Sequence, residues 1–188
     1  MKHKLLLMCG IPGSGKSTMA KSIAEKGKFE SVTYVSRDEV RFALLKGTKE
    51  YEAAFSNRET TDEEEIKYIS NNYFSKEDEV YAEFVERIKN GLATSELTIA
   101  DATHLNFGAR VKLLRALGSS LKGCEVNIFV MNIPLETAIE QNELRKGTIA
   151  YVPPKSIKGM FNSLTMPSED EGFDNIYFYI EQGAVHPM

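Results

Sequence analysis

The chain has 188 residues, 42% of them hydrophobic and 27% charged, with a formal net charge of −4. That length suits one domain with a sizeable core, and no apolar run approaches the ~20 residues of a membrane-spanning helix, so no membrane partner is expected. The acidity argues only weakly against a nucleic-acid partner, because residues 46–79 hold ten acidic and five basic side chains and the remainder is close to neutral.

Met1-Lys2-His3-Lys4 ahead of Leu5 to Met8 has the charged-then-apolar order of a secretion signal. The apolar part is too short, however, and runs into a glycine-rich loop in place of a cleavage site, so a cytoplasmic protein is expected. Cys9 and Cys124 each sit in an apolar run and read as buried thiols, not as a disulfide or a metal site.

Leu5 to Cys9 reads as a short buried strand. It leads into Gly10-Ile11-Pro12-Gly13-Ser14-Gly15-Lys16-Ser17-Thr18, which fits the phosphate-binding pattern G-x-x-x-x-G-K-[ST] at every fixed position. Met19 to Lys26 continues as a helix. The glycines let the backbone curl so that several N–H groups face one anion, and the helix N-terminus adds partial positive charge. The candidate nucleotide-binding residues are therefore Gly10, Pro12, Gly13, Ser14, Gly15, Lys16, Ser17 and Thr18, with Lys16 reaching the β- and γ-phosphates and the Ser17 hydroxyl on Mg²⁺. The plain alternative is a glycine-rich turn that binds nothing.

Val32 to Ser36, β-branched and aromatic, reads as a second strand, followed by a helix from near Asp38 through Leu45, capped by Ser36 or Asp38. Residues 46–75 are polar, acidic and weakly periodic, with a break at Gly47-Thr48 and a turn at Asn71-Asn72. They read as a mobile insertion with some helical turns inside a single domain spanning 1–188. Ser75 with Asp78 resembles a capping box opening an amphipathic helix to about Leu92, with Val80, Phe84, Val85 and Ile88 on one face. Leu97 to Ala100 is a third strand ending in Asp101, and a helix follows from about Phe107 to Leu117. Glu125 to Met131 is the strongest strand pattern. Pro134 suits the first position of a helix to about Arg145, and Lys146-Gly147-Thr148 breaks it. Pro153-Pro154 starts a helix through about Leu164, and Ile176 to Ile180 is a last strand. Five strands alternating with helices predict an α/β fold, a mostly parallel five-stranded sheet with helices on both faces in three layers. Such sheets bind ligands at the carboxyl ends of their strands, where the phosphate loop, Asp38 and Asp101 should converge.

Asp38 and Arg41, three apart at a helix start, share a face. Asp38 could take the proton of an attacking hydroxyl and Arg41 could steer an acceptor or bind phosphate, the alternative being an ordinary capping aspartate and a surface arginine. Asp101 at a strand end beside the phosphate loop suits support of Mg²⁺, or a turn. Thr103, His104 and Asn106 follow on the next loop and could contact an acceptor, although His104 could equally only close that loop. Asn142 to Gly147 carries Arg145 and Lys146 at a helix end, where a basic lid could stabilise charge on a transferred phosphoryl group, or simply complement the helix dipole.

These motifs together resemble the kinase domain of phage-type polynucleotide 5′-hydroxyl kinases and their single-domain P-loop, AAA-type ATPase relatives. The phosphate loop, Ser36-Arg37-Asp38-Glu39-Val40-Arg41 as an R-D-x-x-R element and Asp101-Ala102-Thr103-His104-Leu105-Asn106 as D-x-T-[NH]-x-N carry the resemblance. Residues 142–153 as a lid and Glu171-Gly172-Phe173-Asp174 as a recurring tail extend it. It covers most of the chain outside 46–75, and Gln141 to Leu144 lack a further arginine that the lid often carries. The resemblance implies an ATP- and Mg²⁺-dependent kinase with Asp38 as general base, Arg41 on the acceptor or transferred phosphate, and Lys16 and Arg145 on the phosphates. The favoured acceptor is the 5′-hydroxyl of RNA or DNA. A small hydroxyl metabolite is the runner-up, as in small kinases of sugar acids, antibiotics or adenylylsulfate, and a nucleotide-dependent switch without acceptor transfer is the third reading.

Overall fold

The computed structural model describes residues 3–55, 61–179 and 185–187 of the chain. Strand β1 (Lys4–Cys9) lies at the centre of the sheet, paired in parallel with β3 (Leu97–Asp101) on one side and β4 (Glu125–Met131) on the other. β2 (Val32–Ser36) lies outside β3, and β5 (Asn175–Tyr179) outside β4, both also parallel. This is the parallel five-stranded α/β core that the sequence predicts. A short β6 (Val185–Pro187) adds antiparallel to β5, giving the order β2-β3-β1-β4-β5-β6. Three residues are too few to show a period-2 pattern, so β6 has no sequence signature. Ile180, expected at the end of the last strand, lies outside the described residues.

The strand faces alternate as the pleat requires. Leu5, Leu7 and Cys9 pack with α5 (Glu77–Thr94) and α6 (Phe107–Leu117), while Leu6 and Met8 pack with α1 (Lys16–Lys26) on the other side. Burial on both faces is why β1 reads as an unbroken apolar run. The buried stripe of α5 is Val80, Phe84, Val85 and Ile88, continued by Leu92. Gly91 sets how closely that helix sits, because a Cβ there would lie 2.8 Å from Thr98 Oγ1 and 2.9 Å from Thr33 Cγ2. None of the described helices is long and apolar enough to cross a membrane.

Several helix boundaries differ from expectation for local reasons. α2 (Arg37–Lys46) is capped by Ser36, whose hydroxyl accepts from the Glu39 N–H at 3.3 Å. The capping box expected at Ser75 and Asp78 does not form. Ser75 donates its hydroxyl to the Asn72 carbonyl at 2.8 Å, and α5 starts at Glu77 behind an uncapped Lys76. A capping box closes instead at Thr61 and Glu64, opening α4 (Asp62–Asn72). With α3 (Lys49–Phe55), this makes the described part of 46–75 largely helical. Tyr51, Phe55 and Tyr68 hold those two helices together, with ring centroids 4.7–5.7 Å apart. α7 (Leu135–Glu143) has Pro134 as its N-cap, one position ahead of the expected slot. It stops short of Arg145, because the Arg145 N–H turns back to the Asn142 carbonyl at 2.9 Å. α8 (Pro154–Asn162) keeps Pro154 at its first position and ends before Leu164.

The C-terminal Glu171-Gly172-Phe173-Asp174 stretch acts structurally. Arg110, fully buried on α6, makes a two-pronged pair with Glu171, Nε to Oε2 at 2.6 Å and Nη2 to Oε1 at 2.7 Å. Its Nη1 also donates to the carbonyls of His104 at 3.2 Å and Thr165 at 2.8 Å. Phe173 joins the core, and the Asp174 carboxylate accepts from the Val126 N–H at 2.7 Å, tying the tail to β4. Glu171→Leu should therefore lower the unfolding free energy by ~3–5 kcal/mol in a urea titration, since it strands a buried guanidinium. A loss under ~1 kcal/mol would show that Arg110 finds full compensation in its carbonyl partners.

His104 belongs to the same knot. Its Nδ1–H donates to the Met8 carbonyl at 2.8 Å, its ring lies 6.2 Å from that of Phe84, and its backbone is left-handed at φ 42°. Burial first, with the positive charges of Arg37 and Lys16 adding to it, pulls its pKa from 6.5 to about 4, against the Met8 bond and Asp101. Above pH 6.5 the ring is neutral in folded and unfolded chains alike. As pH falls toward 4 the unfolded chain binds the proton first, so stability is lost across that window. His104→Asn tolerates the left-handed backbone and should flatten this pH dependence, read from urea midpoints between pH 7 and 4. An unchanged slope would assign the acid sensitivity to other groups.

Candidate active site

Parallel pairing sets the frame. Asp101 sits in register with Met8 on one side and Ser36 on the other, so the ends of β1, β2 and β3 meet at one edge of the sheet. The phosphate loop leaves β1 there, and α1 begins at Lys16 behind a left-handed Gly15. Gly13 is required twice over. Its φ of 82° disfavours any side chain, and a Cβ would stand 2.1 Å from the Ala138 carbonyl of α7. The loop is thus pressed directly against α7, and Gly10 is anchored by its N–H to the Thr103 carbonyl at 3.0 Å.

A cavity of about 240 Å³ opens at this edge. Pro12, Lys16 and Ser17 from the loop, Asp38 and Arg41 from α2, Asp101 and Thr103 from the β3 end, and Arg145 beyond α7 all border it. A second recess of about 370 Å³ lies across the loop, bordered by Ser14, Gly15, Thr18, Thr137, Gln141 and Tyr179. Pro12, Lys16 and Ser17 thus border the first hollow and Ser14, Gly15 and Thr18 the second, while Gly10 and Gly13 border neither. Asn106 instead caps α6, its side chain accepting from the Ala109 N–H at 2.9 Å, and His104 points into the core and borders neither.

Lys16 is buried, and its ammonium donates to the Ile11 carbonyl at 3.0 Å. Burial lowers its pKa, opposed by the carboxylates of Asp101 and Asp38. A poorly solvated cation in a curled loop is a strong partner for a phosphate. Ser14 Oγ is buried and has no hydrogen-bond partner, leaving a donor free within the same curl. These features fit a nucleoside triphosphate. The Ser17 hydroxyl and Asp101 at one cavity fit Mg²⁺, which takes one or two protein oxygens beside phosphates and water. Tyr34 holds Asp101 in place, its hydroxyl donating to Oδ2 at 2.6 Å, and burial first, then that bond, raises the Tyr34 pKa.

Around Asp38 stands a network that sequence reading missed. Arg41, almost fully buried, donates to Asp38 Oδ1 at 2.9 Å and to Glu77 Oε2 at 2.6 Å. Arg37 pairs with the other oxygen of Glu77. Tyr73, from the turn after α4, donates its hydroxyl to Asp38 Oδ1 at 2.8 Å and lies under the Arg41 guanidinium, 4.2 Å from its carbon. Phe74 borders the same cavity and is 72% exposed. Tyr34, Tyr73 and Glu77 carry no motif. The adjacent aromatics Tyr73-Phe74 in a polar stretch were the one available signal. On the lid side, Asn142 is buried and grips Val152 through both ends of its amide, Nδ2 to the carbonyl at 2.7 Å and Oδ1 from the N–H at 3.1 Å, closing the loop that carries Arg145.

No curated protein matches the chain. Among solved structures it is similar to a chain of the Pnkp1/Rnl/Hen1 RNA repair complex, at 21% identity and TM-score 0.51 over 86% of this chain and 44% of that one. It is also similar to a chain of the PezAT chromosomal toxin-antitoxin system of Streptococcus pneumoniae, at 15% identity and TM-score 0.54 over 99% and 71%. A third similarity is to the tunicamycin resistance protein of Deinococcus radiodurans, at 16% identity and TM-score 0.49 over 86% and 79%. At 21% and 15% identity the first two likenesses concern the fold alone, and the chain spans less than half of the RNA-repair chain's length. The model of the AAA domain family matches residues 5–167, and with the phosphate loop and the parallel sheet already described, the chain belongs to that family as a P-loop α/β domain.

Proposed function

We propose that the chain is an ATP- and Mg²⁺-dependent phosphotransferase that moves the γ-phosphate to a hydroxyl acceptor, foremost the 5′-hydroxyl end of an RNA or DNA strand. The observation that carries this reading is that Lys16, Ser17, Asp38, Arg41, Asp101 and Arg145 border one cavity. Phosphoryl transfer depends mostly on positioning and on neutralising charge, and that is what such a set supplies. ATP supplies the activated phosphoryl group. Lys16 and the loop N–H groups hold the phosphates, and Ser17 with Asp101 holds Mg²⁺. Asp38 accepts the acceptor's proton, Arg41 orients Asp38 and the acceptor, and Arg145 brings positive charge from the far wall. In this reading 142–153 is the lid and 46–75 an insertion within one kinase domain of a cytoplasmic protein.

A polynucleotide end is supported by Phe74, whose exposed ring beside the cavity offers a stacking face for a base, and by Arg37 and Arg41 on the same cavity. A small hydroxyl metabolite is the second reading. It is favoured by the modest volume of about 240 Å³ and by Glu77, which already neutralises both arginines.

With γ-labelled ATP and Mg²⁺, label should pass to 5′-hydroxyl oligonucleotides. Label only on members of a hydroxyl-metabolite panel selects the second reading, and tight ATP binding with no transfer anywhere selects a switch. Asp38→Asn should bind ATP with near-native affinity while turnover falls ~10²-fold or more, the usual scale for losing a general base; normal turnover would remove Asp38 from the chemistry. Tyr34→Phe frees Asp101 from its hydrogen bond and should raise the Mg²⁺ concentration for half-maximal turnover several-fold, on the scale of lost support to a metal ligand. An unchanged Mg²⁺ dependence would confine Tyr34 to packing.

A further inference from the structure

Tyr73 borders the cavity and bonds the proposed general base, yet the proposed reaction gives it no role. Its hydroxyl donates to Asp38 Oδ1 at 2.8 Å, which is the hydrogen bond that an acceptor hydroxyl must make with a general base at Asp38. It borders the same cavity as Lys16, Ser17 and Arg145. Arg41 Nη1 lies 3.1 Å from the Tyr73 oxygen, and Arg37 is joined to Arg41 through Glu77. Of the other hydroxyls at the cavity, Ser36 caps α2 and Ser17 is assigned to Mg²⁺, while no bond joins Thr103 to Asp38 as one joins Tyr73.

We propose that Tyr73 is itself a phosphate acceptor, so that the chain transfers the γ-phosphate of ATP to its own Tyr73 when no external hydroxyl displaces the ring. This rests on the phosphotransferase reading above. In the step, the Tyr73 oxygen forms a bond to the γ-phosphorus as the bond from that phosphorus to the β–γ bridging oxygen breaks. The bridging oxygen leaves with its electron pair on ADP, and the phenolic proton passes to the Asp38 carboxylate. Because phosphoryl transfer is loose, the phenol need not ionise beforehand. The product is a dianionic phosphotyrosine beside Arg41, with Arg37 one ion pair further on, the kind of charge that paired arginines retain. A phosphate there covers Asp38, so the modified protein should be slower toward external acceptors.

The test incubates the full chain with γ-labelled ATP and Mg²⁺ alone, with a 5′-hydroxyl oligonucleotide and with the hydroxyl-metabolite panel, then runs a denaturing gel and maps the label by peptide mass spectrometry on the wild-type protein. The expected result is alkali-stable label on Tyr73, at most one phosphate per chain, with a rate per chain independent of protein concentration and reduced by the oligonucleotide. Tyr73→Phe, checked for ATP binding, should lose at least tenfold of the self-label, and Asp38→Asn a comparable share. Label on Tyr73 with none on oligonucleotide or metabolite supports the inference while removing the proposed acceptors. Label on the oligonucleotide without any on the protein overturns the inference and leaves the phosphotransferase reading standing. Label at any other residue, or none anywhere despite ATP binding, overturns the inference too, and the latter takes the phosphotransferase reading with it.

Discussion

The parallel register of β3 governs the chemistry-bearing edge of this molecule. Asp101 pairs across to Met8 and to Ser36, so one residue fixes where β1 releases the phosphate loop and where β2 releases α2. A register slip would turn every second side chain to the wrong face of a sheet buried on both sides, which makes that alignment expensive to change. Asp38, two residues past Ser36, and Lys16, in the first turn of α1, border a common cavity as a consequence. Tyr34 strengthens the same edge by bonding the side chain that the register has already positioned.

The opposite wall depends on a contact with almost no tolerance. Gly13 lies so close to the Ala138 carbonyl that no side chain fits between the phosphate loop and α7. Ala138 also packs with Ile11, Leu105, Ile133 and Ile157, so the loop, the β3–α6 connection and α8 share a small core. The stretch carrying Arg145 hangs from this core through Asn142 and Val152. The nucleotide loop and the stretch carrying Arg145 are thus joined through one packed core, while Leu144, next to Arg145 in sequence, is 87% exposed.

Much of this was legible in sequence, and the pattern of what was not has a physical cause. The phosphate loop, the parallel core and the acidic residues after β2 and β3 follow from local signals: a fixed motif, apolar runs and position after a strand. Tyr34, Tyr73 and Glu77 act through partners 67, 35 and 36 residues away, and no local pattern encodes such pairs. Ser75 misled because a serine with a nearby backbone acceptor has two outlets for its hydroxyl, and the turn after α4 supplied the other one. Charge dominates the composition of residues 46–75, and the contacts among Tyr51, Phe55 and Tyr68 in its described part follow no period that composition shows. His104, which by sequence could contact an acceptor or only close its loop, turns inward to an apolar wall and the Met8 carbonyl.

The central claim is that the triphosphate held by the loop around Gly13 points its outermost phosphorus at Asp38. A crystal structure with Mg²⁺ and a non-hydrolysable ATP analogue tests it most directly. The expected result has the γ-phosphate in the cavity between Lys16 and Arg145, with the Asp38 carboxylate facing it and Mg²⁺ beside Ser17 and Asp101. A γ-phosphate directed into the recess by Thr137 and Gln141, with Asp38 facing solvent, would contradict it and leave a nucleotide-binding domain without a transfer site.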